Sequence, residues 1–251
     1  MSSIFSPTTG VLSSARLPRI AVLGAGHVGP VIARVAMEAG YQVSIAASGD
    51  PAKIELIAQV LAPGAEPRWA ADAVKEAGIV VMAIPLHRFA ALDSSLVAGR
   101  LVVDAMNYWP PVDGAQEMFE GRQYGSSEIV AARLARSTIV KTLNHIGYHE
   151  LEDERRPAGA PERRALGVAS DDPRAAAVVA ELIERIGYDA VQLSSLTAGR
   201  ALQPGGPVFG VPLHRAEFER AVHAEAGPGG PWPAQAHTRF TQAQIREKAP
   251  A

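Results

Sequence analysis

The stretch I-A-V-L-G-A-G-H-V-G at residues 20–29 decides how this chain is read. Ile20, Ala21, Val22 and Leu23 run without a break into glycines at 24, 26 and 29, the spacing G-x-G-x-x-G. An uninterrupted apolar run reads as a strand buried on both faces, as in parallel sheets. Residues 27–39 then place Val28, Val31, Ile32, Val35, Ala36 and Ala39 on one helical face, with Gly40 as the stop. Strand, glycine turn and amphipathic helix together point to a bound dinucleotide. Gly24 permits the tight turn, Gly26 lets the backbone approach a pyrophosphate, and Gly29 lets the helix pack close to the sheet. The amide groups at the helix start then face the phosphates, aided by the helix dipole. Cofactor contacts are expected from Gly24, Ala25, Gly26, His27, Val28 and Gly29. His27 occupies a variable position of the motif and reads equally as a solvent-facing loop residue.

Outward from this turn the pattern alternates. Strands are expected at 19–23, 42–46, 79–84, 101–104 and 138–143, with helices at 27–39, 51–61, 69–77, 86–97 and 126–135. A strand, helix, strand unit follows at 166–169, 173–186 and 188–193. Residues 107–114, N-Y-W-P-P-V-D-G, form a loop at a strand's carboxyl edge, where open α/β sheets bind ligands. Residues 150–164, charged and punctuated by proline, read as a surface loop. The expected fold class is α/β, a Rossmann-type doubly wound parallel sheet with a small C-terminal α/β domain. The domains would be a disordered leader at 1–17, a dinucleotide-binding domain at 18–145, the small domain at 146–226 and a flexible tail at 227–251.

Composition narrows the chemistry. The 251 residues contain no cysteine, which excludes disulfides, thiolate catalysis and cysteine-held metal clusters. Redox chemistry would have to come from a cofactor. A net charge of -2 gives no general attraction to nucleic acid or to an anionic membrane. No apolar run approaches the length of a membrane span, and residues 1–18 lack the basic start and apolar middle of a signal peptide. A cytoplasmic protein is expected.

The end of the second strand bears on the choice of dinucleotide. NAD enzymes usually place an acid there for the ribose 2′-hydroxyl. Here stand Ala46, Ala47 and Ser48, so a 2′-phosphate meets no carboxylate, and Ser48 and Lys53 could contact it. Asp50, followed by Pro51, reads first as a helix cap and second as a ribose contact. NADP is favoured, with NAD possible. The strand end A-I-P-L-H at 83–87 should pass the cofactor, with Ala83, Ile84 and Pro85 packing against it. His87 and Arg88 are candidates for phosphate or ribose contacts, or for the helix surface. Tyr108 and Trp109 are candidates for a second ligand, or for local loop packing. His145 and His149 have the spacing of a zinc pair, but Gly147 lies between them and no third ligand is evident, so no metal is expected.

Several segments together are similar to the F-420-dependent NADP oxidoreductases, the deazaflavin-reducing family, over roughly residues 18–210. They are G-A-G-H-V-G, A-I-P, V-V-D-A-M-N, G-S-S-E-I-V-A before V-K-T-L-N-H-I, A-S-D-D-P-R-A and L-T-A-G-R-A-L-Q-P. The resemblance implies a small C-terminal domain over the nicotinamide and direct hydride transfer to a deazaflavin, F-420, stacked against it. Positioning and exclusion of water would supply the catalysis, with no side-chain acid or base. It implies that Ala83, Ile84, Pro85, Asn107 and Ile146 face the cofactor, and that Asn144, His145 and Arg200 face the second ligand. It also implies a homodimer joined through the C-terminal region. The chain departs from the family at Ser48-Gly49, where Ser-Arg is usual; this removes a bidentate partner for the 2′-phosphate. The loop at 107–114 and Gly205, Gly206 and Pro207 depart as well. Two alternatives remain: a dehydrogenase or reductase of small hydroxy acids or imines, and a redox sensor that binds NADP(H) without turnover. The first is weakened by the short region after Leu143, where Lys248 is the sole later lysine.

Overall fold

The computed structural model describes residues 17–120 and 124–224. The expected leader up to residue 16 and the tail from Gly227 lie outside the described residues. The chain opens β1 (Ile20–Leu23), α1 (Val28–Glu38), β2 (Val43–Ala46), α2 (Glu55–Leu61), β3 (Glu66–Pro67), α3 (Ala70–Glu76) and β4 (Ile79–Met82). It continues through α4 (Leu86–Phe89), β5 (Leu101–Asp104), α5 (Pro110–Asp113), α6 (Glu117–Glu120), α7 (Ser126–Arg133) and β6 (Thr138–Lys141). Last come α8 (Glu150–Asp153), β7 (Ala165–Ala169), α9 (Pro173–Arg185), β8 (Asp189–Leu193) and α10 (Arg215–Ala224).

These strands form one sheet in the order β3-β2-β1-β4-β5-β6-β7-β8, parallel throughout except between β6 and β7. The order runs one way from β1 to β3 and the other way from β4 onward. That reversal leaves a crevice at the carboxyl ends of β1 and β4. The Rossmann-type doubly wound sheet read from the sequence is the fold of the chain. Apolar β1, β2 and β4 are buried along their whole length because helices cover both faces. On one face Ile20, Val22, Val35 and Val103 share a core with Val179 and Ile183 of α9. On the other, Ala21, Val80, Met82 and Val102 pack against Phe89 and Val130. No helix among the described residues is long and apolar enough to cross a membrane.

Several elements differ from expectation. The helix expected at 86–97 is two short pieces, α4 and a 3-10 turn at Ser94–Val97, because the Asp93 carboxylate caps the second by accepting from Ser95 N at 2.9 Å. The loop at 107–114 contains α5, and the loop at 150–164 begins with α8. The strand expected to reach residue 143 ends at Lys141, and Leu143 has φ +63°, a left-handed conformation costly for a branched side chain. β3, only two residues long, and α10 carried no periodicity that would have revealed them.

The strand-helix-strand unit β7-α9-β8 joins the sheet through one antiparallel pair, Lys141 opposite Ala169. Much of A-S-D-D-P-R-A is spent on this junction. Ser170 Oγ donates to Ile139 O at 2.7 Å, Asp171 accepts from Leu196 N at 2.8 Å, and Asp172 caps α9 through Arg174 N and Ala175 N. Beneath the junction lies a buried ion pair. The Asp104 carboxylate accepts from Met106 N at 2.9 Å and Ser127 Oγ at 2.6 Å, and lies 3.4 Å from Lys141 Nζ, which also donates to Met106 O. Both side chains are essentially inaccessible.

Removing one partner of such a pair strands a charge in the core, a loss of about 3–5 kcal/mol. Lys141→Met should therefore lower the unfolding free energy read from urea titration by that amount, and adding Asp104→Asn should restore part of it. A single variant within about 1 kcal/mol of the wild type would contradict the assignment.

Candidate active site

The glycine turn divides its three residues between the fold and open space. Gly24 has φ +128°, and a Cβ there would come within 2.3 Å of Ala83 O. A Cβ on Gly29 would lie 1.8 Å from Gly24 O and 3.3 Å from Val22. Both glycines are therefore required by packing, the first of the turn on the end of β4 and the second of α1 on β1. A Cβ on Gly26 would meet nothing within 4 Å, and Gly26 is exposed. Backbone bonds fix the turn from both sides, with Gly24 N donating to Ala46 O and Ala83 N to Leu23 O, each at 2.8 Å. Ala25 and Val28 are half-buried beneath it, and His27 is exposed.

Beyond β2, Ala47 is half-buried and Ser48, Gly49, Asp50 and Lys53 are exposed. The Asp50 carboxylate accepts from Ala52 N at 2.9 Å, so it performs the capping role. Gly49 has φ +127° and no atom near its Cβ position, leaving this corner open.

At the ends of β4 and β5 a residue missed in the sequence organises the edge. Asp113 is 7% exposed; one oxygen accepts from His87 N at 3.1 Å and lies 3.1 Å from His87 Nδ1, while the other accepts from Trp109 N at 2.8 Å. Pro85, at the cap position of α4, has no capping side chain, and Asp113 supplies the missing acceptor from another loop. The sequence signal was faint, an Asp-Gly after two prolines that reads first as a turn. Ala83 and Ile84 are half-buried and Pro85 exposed beside it. Tyr108 follows the local-packing alternative: its ring lies 5.6 Å from Phe119, and its hydroxyl donates to Gly114 O and accepts from Gln116 N. Trp109 is half-buried.

At the end of β6, Asn144 and Asn107 interlock. Asn107 Nδ2 donates to Asn144 O at 2.6 Å, and Asn144 Nδ2 donates to Asn107 Oδ1 at 2.9 Å and to Leu202 O. The strained Leu143 directs this turn. His145, expected to face a second ligand, is instead a core residue at 1% exposure. Its Nε2 accepts from Gly167 N at 3.0 Å, its Nδ1 faces Asn144 Oδ1 at 3.4 Å, and its ring lies 6.0 Å from Phe218. Neither nitrogen is left for a ligand. His149 is exposed and 4.2 Å from the Tyr148 ring, so the H-x-x-x-H pair does not converge. No cluster of metal-binding groups occurs among the described residues. Ile146 is buried, and Tyr148 stacks on His27 at 5.8 Å, bringing this segment over the start of α1. Arg34 holds Glu152 through two bonds of 2.8 and 2.5 Å, and Arg155 meets Glu38 at 2.5 Å, clasping α8 along α1.

Arg200 lies on the 3-10 turn Thr197–Leu202 and donates through Nε to Glu128 at 2.7 Å. Glu128 also accepts from Gly125 N and Thr197 Oγ1. Burial pushes the Glu128 carboxyl up, but these donors outweigh it and hold the group below the usual carboxylate range. The segments G-S-S-E and L-T-A-G-R thus dock on each other. A cavity of about 230 Å³ is lined by Glu154, Arg156, Glu162, Arg164 and residues 212–214, none of which belongs to the glycine turn or the ends of β4 to β6.

Residues 19–108 match the family described as NADP oxidoreductase, coenzyme F420-dependent. The resemblance read in the sequence over roughly residues 18–210 is thus matched over residues 19–108. No curated protein matches the chain. A hypothetical protein from Sinorhizobium meliloti is similar at 26% identity and TM-score 0.68, over 78% of this chain and 95% of that one. A protein provisionally named an F420-dependent NADP reductase, from Arthrobacter sp. FB24, is 25% identical with TM-score 0.61, over 73% and 87%. A 3-hydroxyisobutyrate dehydrogenase from Mycobacterium tuberculosis, 17% identical with TM-score 0.51, shares the fold over 74% of this chain and 57% of its own.

Burial lowers the His145 pKa from 6.5 to about 3, with Arg164 and Lys141 adding to the effect. Below pH 6.5 the unfolded chain takes up a proton that the folded one refuses. Stability should therefore fall by about 1.4 kcal/mol per pH unit as pH drops below that value, and be independent of this group above it. Chemical denaturation between pH 6.5 and 5 reads the slope before carboxylates titrate. His145→Gln should remove it; an unchanged slope would contradict the neutral, buried ring.

Proposed function

We propose that the protein binds NADP(H) at the glycine turn and passes hydride directly between the nicotinamide and a flat acceptor, the deazaflavin F-420 or a ring system of similar shape. The observation that carries the reading is Gly26. Packing accounts for Gly24 and Gly29 but not for Gly26, whose bare backbone faces open space at the start of α1. A pyrophosphate placed against amide groups at a helix N-terminus uses that space. NADPH, when bound, supplies the hydride.

The chain's own residues bind and orient. Ala25, Gly26 and His27 would hold the phosphates, with Tyr148 backing the imidazole. Ser48 and Lys53 would meet the 2′-phosphate in the open corner beside Gly49. Asp50 keeps its carboxylate on a backbone amide, which favours NADP over NAD less strongly than the family's arginine would. Ala83, Ile84 and Pro85 would line the cofactor's path, and the interlocked Asn107 and Asn144 would form a rigid wall where the two rings meet. Trp109 and Arg200 would stand on the acceptor's side, Arg200 being held in place by Glu128. The match of residues 19–108 and the likeness to the Arthrobacter protein support F-420 as the acceptor.

Mixing the protein with NADPH and oxidised F-420 should produce matched losses of both absorbances. Gly26→Ala separates binding from folding. It should leave the thermal midpoint within about 2 °C, a change under about 0.5 kcal/mol, and weaken NADPH at least tenfold, about 1.4 kcal/mol. Gly29→Ala should destabilise the fold itself. Unchanged NADPH affinity in Gly26→Ala would contradict the placement of the cofactor.

A further inference from the structure

We propose that His87, oriented by Asp113, is the group that supplies or takes up the proton accompanying hydride transfer, an inference that rests on the hydride-transfer reading above. The resemblance to the deazaflavin family implied no such group, yet the structure contains an arrangement suited to one.

Asp113 comes from the loop after β5, 26 residues beyond His87. Capping α4 requires only the bond to His87 N. The same carboxylate oxygen also lies 3.1 Å from the ring nitrogen Nδ1. A carboxylate can only accept here, so Nδ1 carries hydrogen and Nε2 becomes the nitrogen that exchanges protons. Trp109 N holds the other carboxylate oxygen at 2.8 Å, so the acid cannot rotate away. The Asp113 side chain is 3% exposed and that of His87 35%, which leaves the ring in reach of water while its partner stays dry. A base whose second nitrogen is fixed by a buried acid is the recurrent way to orient a proton-transfer group.

Position agrees with this role. β4 and β5 are neighbours, with Met82 opposite Asp104, and the His87–Asp113 contact joins the segments that follow them. Ala83, four residues before His87, is the backbone packed on Gly24. Arg88, beside His87 on α4, is exposed.

NADPH, an oxidised acceptor and one proton give NADP⁺ and an acceptor carrying both the hydride and the proton. Hydride arrives with two electrons and leaves a neutral conjugated acceptor negatively charged. The His87 imidazolium gives its Nε2 proton to that charge as it develops in the transition state, becomes neutral, and is reprotonated from water along its exposed edge. In the opposite direction the neutral ring takes up the proton.

The test compares wild type, His87→Gln and Asp113→Asn by NADPH binding, single-turnover hydride transfer and ¹⁵N spectra of the His87 ring. In wild type the spectra should place hydrogen on Nδ1, and saturating NADP⁺ should shift the Nε2 signal. His87→Gln should bind NADPH within about threefold of wild type but transfer hydride about 10²-fold more slowly, the usual worth of a positioned acid. Asp113→Asn should lose the Nδ1 preference and fall between the two in rate. Transfer at the wild-type rate by His87→Gln, or a ring signal indifferent to NADP⁺, would overturn the role alone. A wild-type protein that binds NADPH and reduces no acceptor would overturn the hydride-transfer reading and the role with it.

Discussion

The arrangement depends first on one buried carboxylate. Asp104 ends β5 in a place shut off from water, where a carboxylate without partners is costly, and its neighbours answer its need for donors. Met106 N turns the chain out of the strand, Ser127 fixes the start of α7, and Lys141 ties the end of β6 to the end of β5. Burial pulls the Lys141 ammonium below the ordinary lysine range against the opposing pull of Asp104. Lys141 also stands opposite Ala169, where β7 joins the sheet. From α7 the chain of contacts continues through Glu128 to Arg200. The loops that would carry a second ligand are thereby hung on the edge where the dinucleotide motif ends.

Most of the doubly wound core was legible because its signals are local. The uninterrupted apolar strands, the helical face from Val28 to Ala39 and the glycine spacing all follow from burial on both faces of a parallel sheet. What stayed hidden depends on contacts between distant segments. Asp104 and Lys141 were visible only as charges at the ends of apolar strands, and nothing local says that 37 residues apart they pair. β3 needs only two residues because its partner strand supplies the register.

The candidate site was legible in part for the same reason. The roles assigned to Gly24 and Gly29 follow from turn and helix geometry, and Asp50 caps as its Asp-Pro context suggested. Position alone left Tyr108 open between a ligand and local packing, and pointed His145 toward a ligand. Each sits in a loop at the right edge of the sheet, but Phe119 claims one ring, and Gly167 with Phe218 claims the other. The aromatic that does reach the glycine turn is Tyr148, placed there because Arg34 and Arg155 clasp the following helix to α1.

Isotopic labelling follows the hydride itself. The protein would be mixed with oxidised F-420 and NADPH carrying deuterium at the transferring position of the nicotinamide. Direct transfer puts the deuterium in the reduced acceptor, one per NADPH consumed, with none lost to water. Deuterium released to solvent, or NADPH that binds and keeps its label, would contradict it.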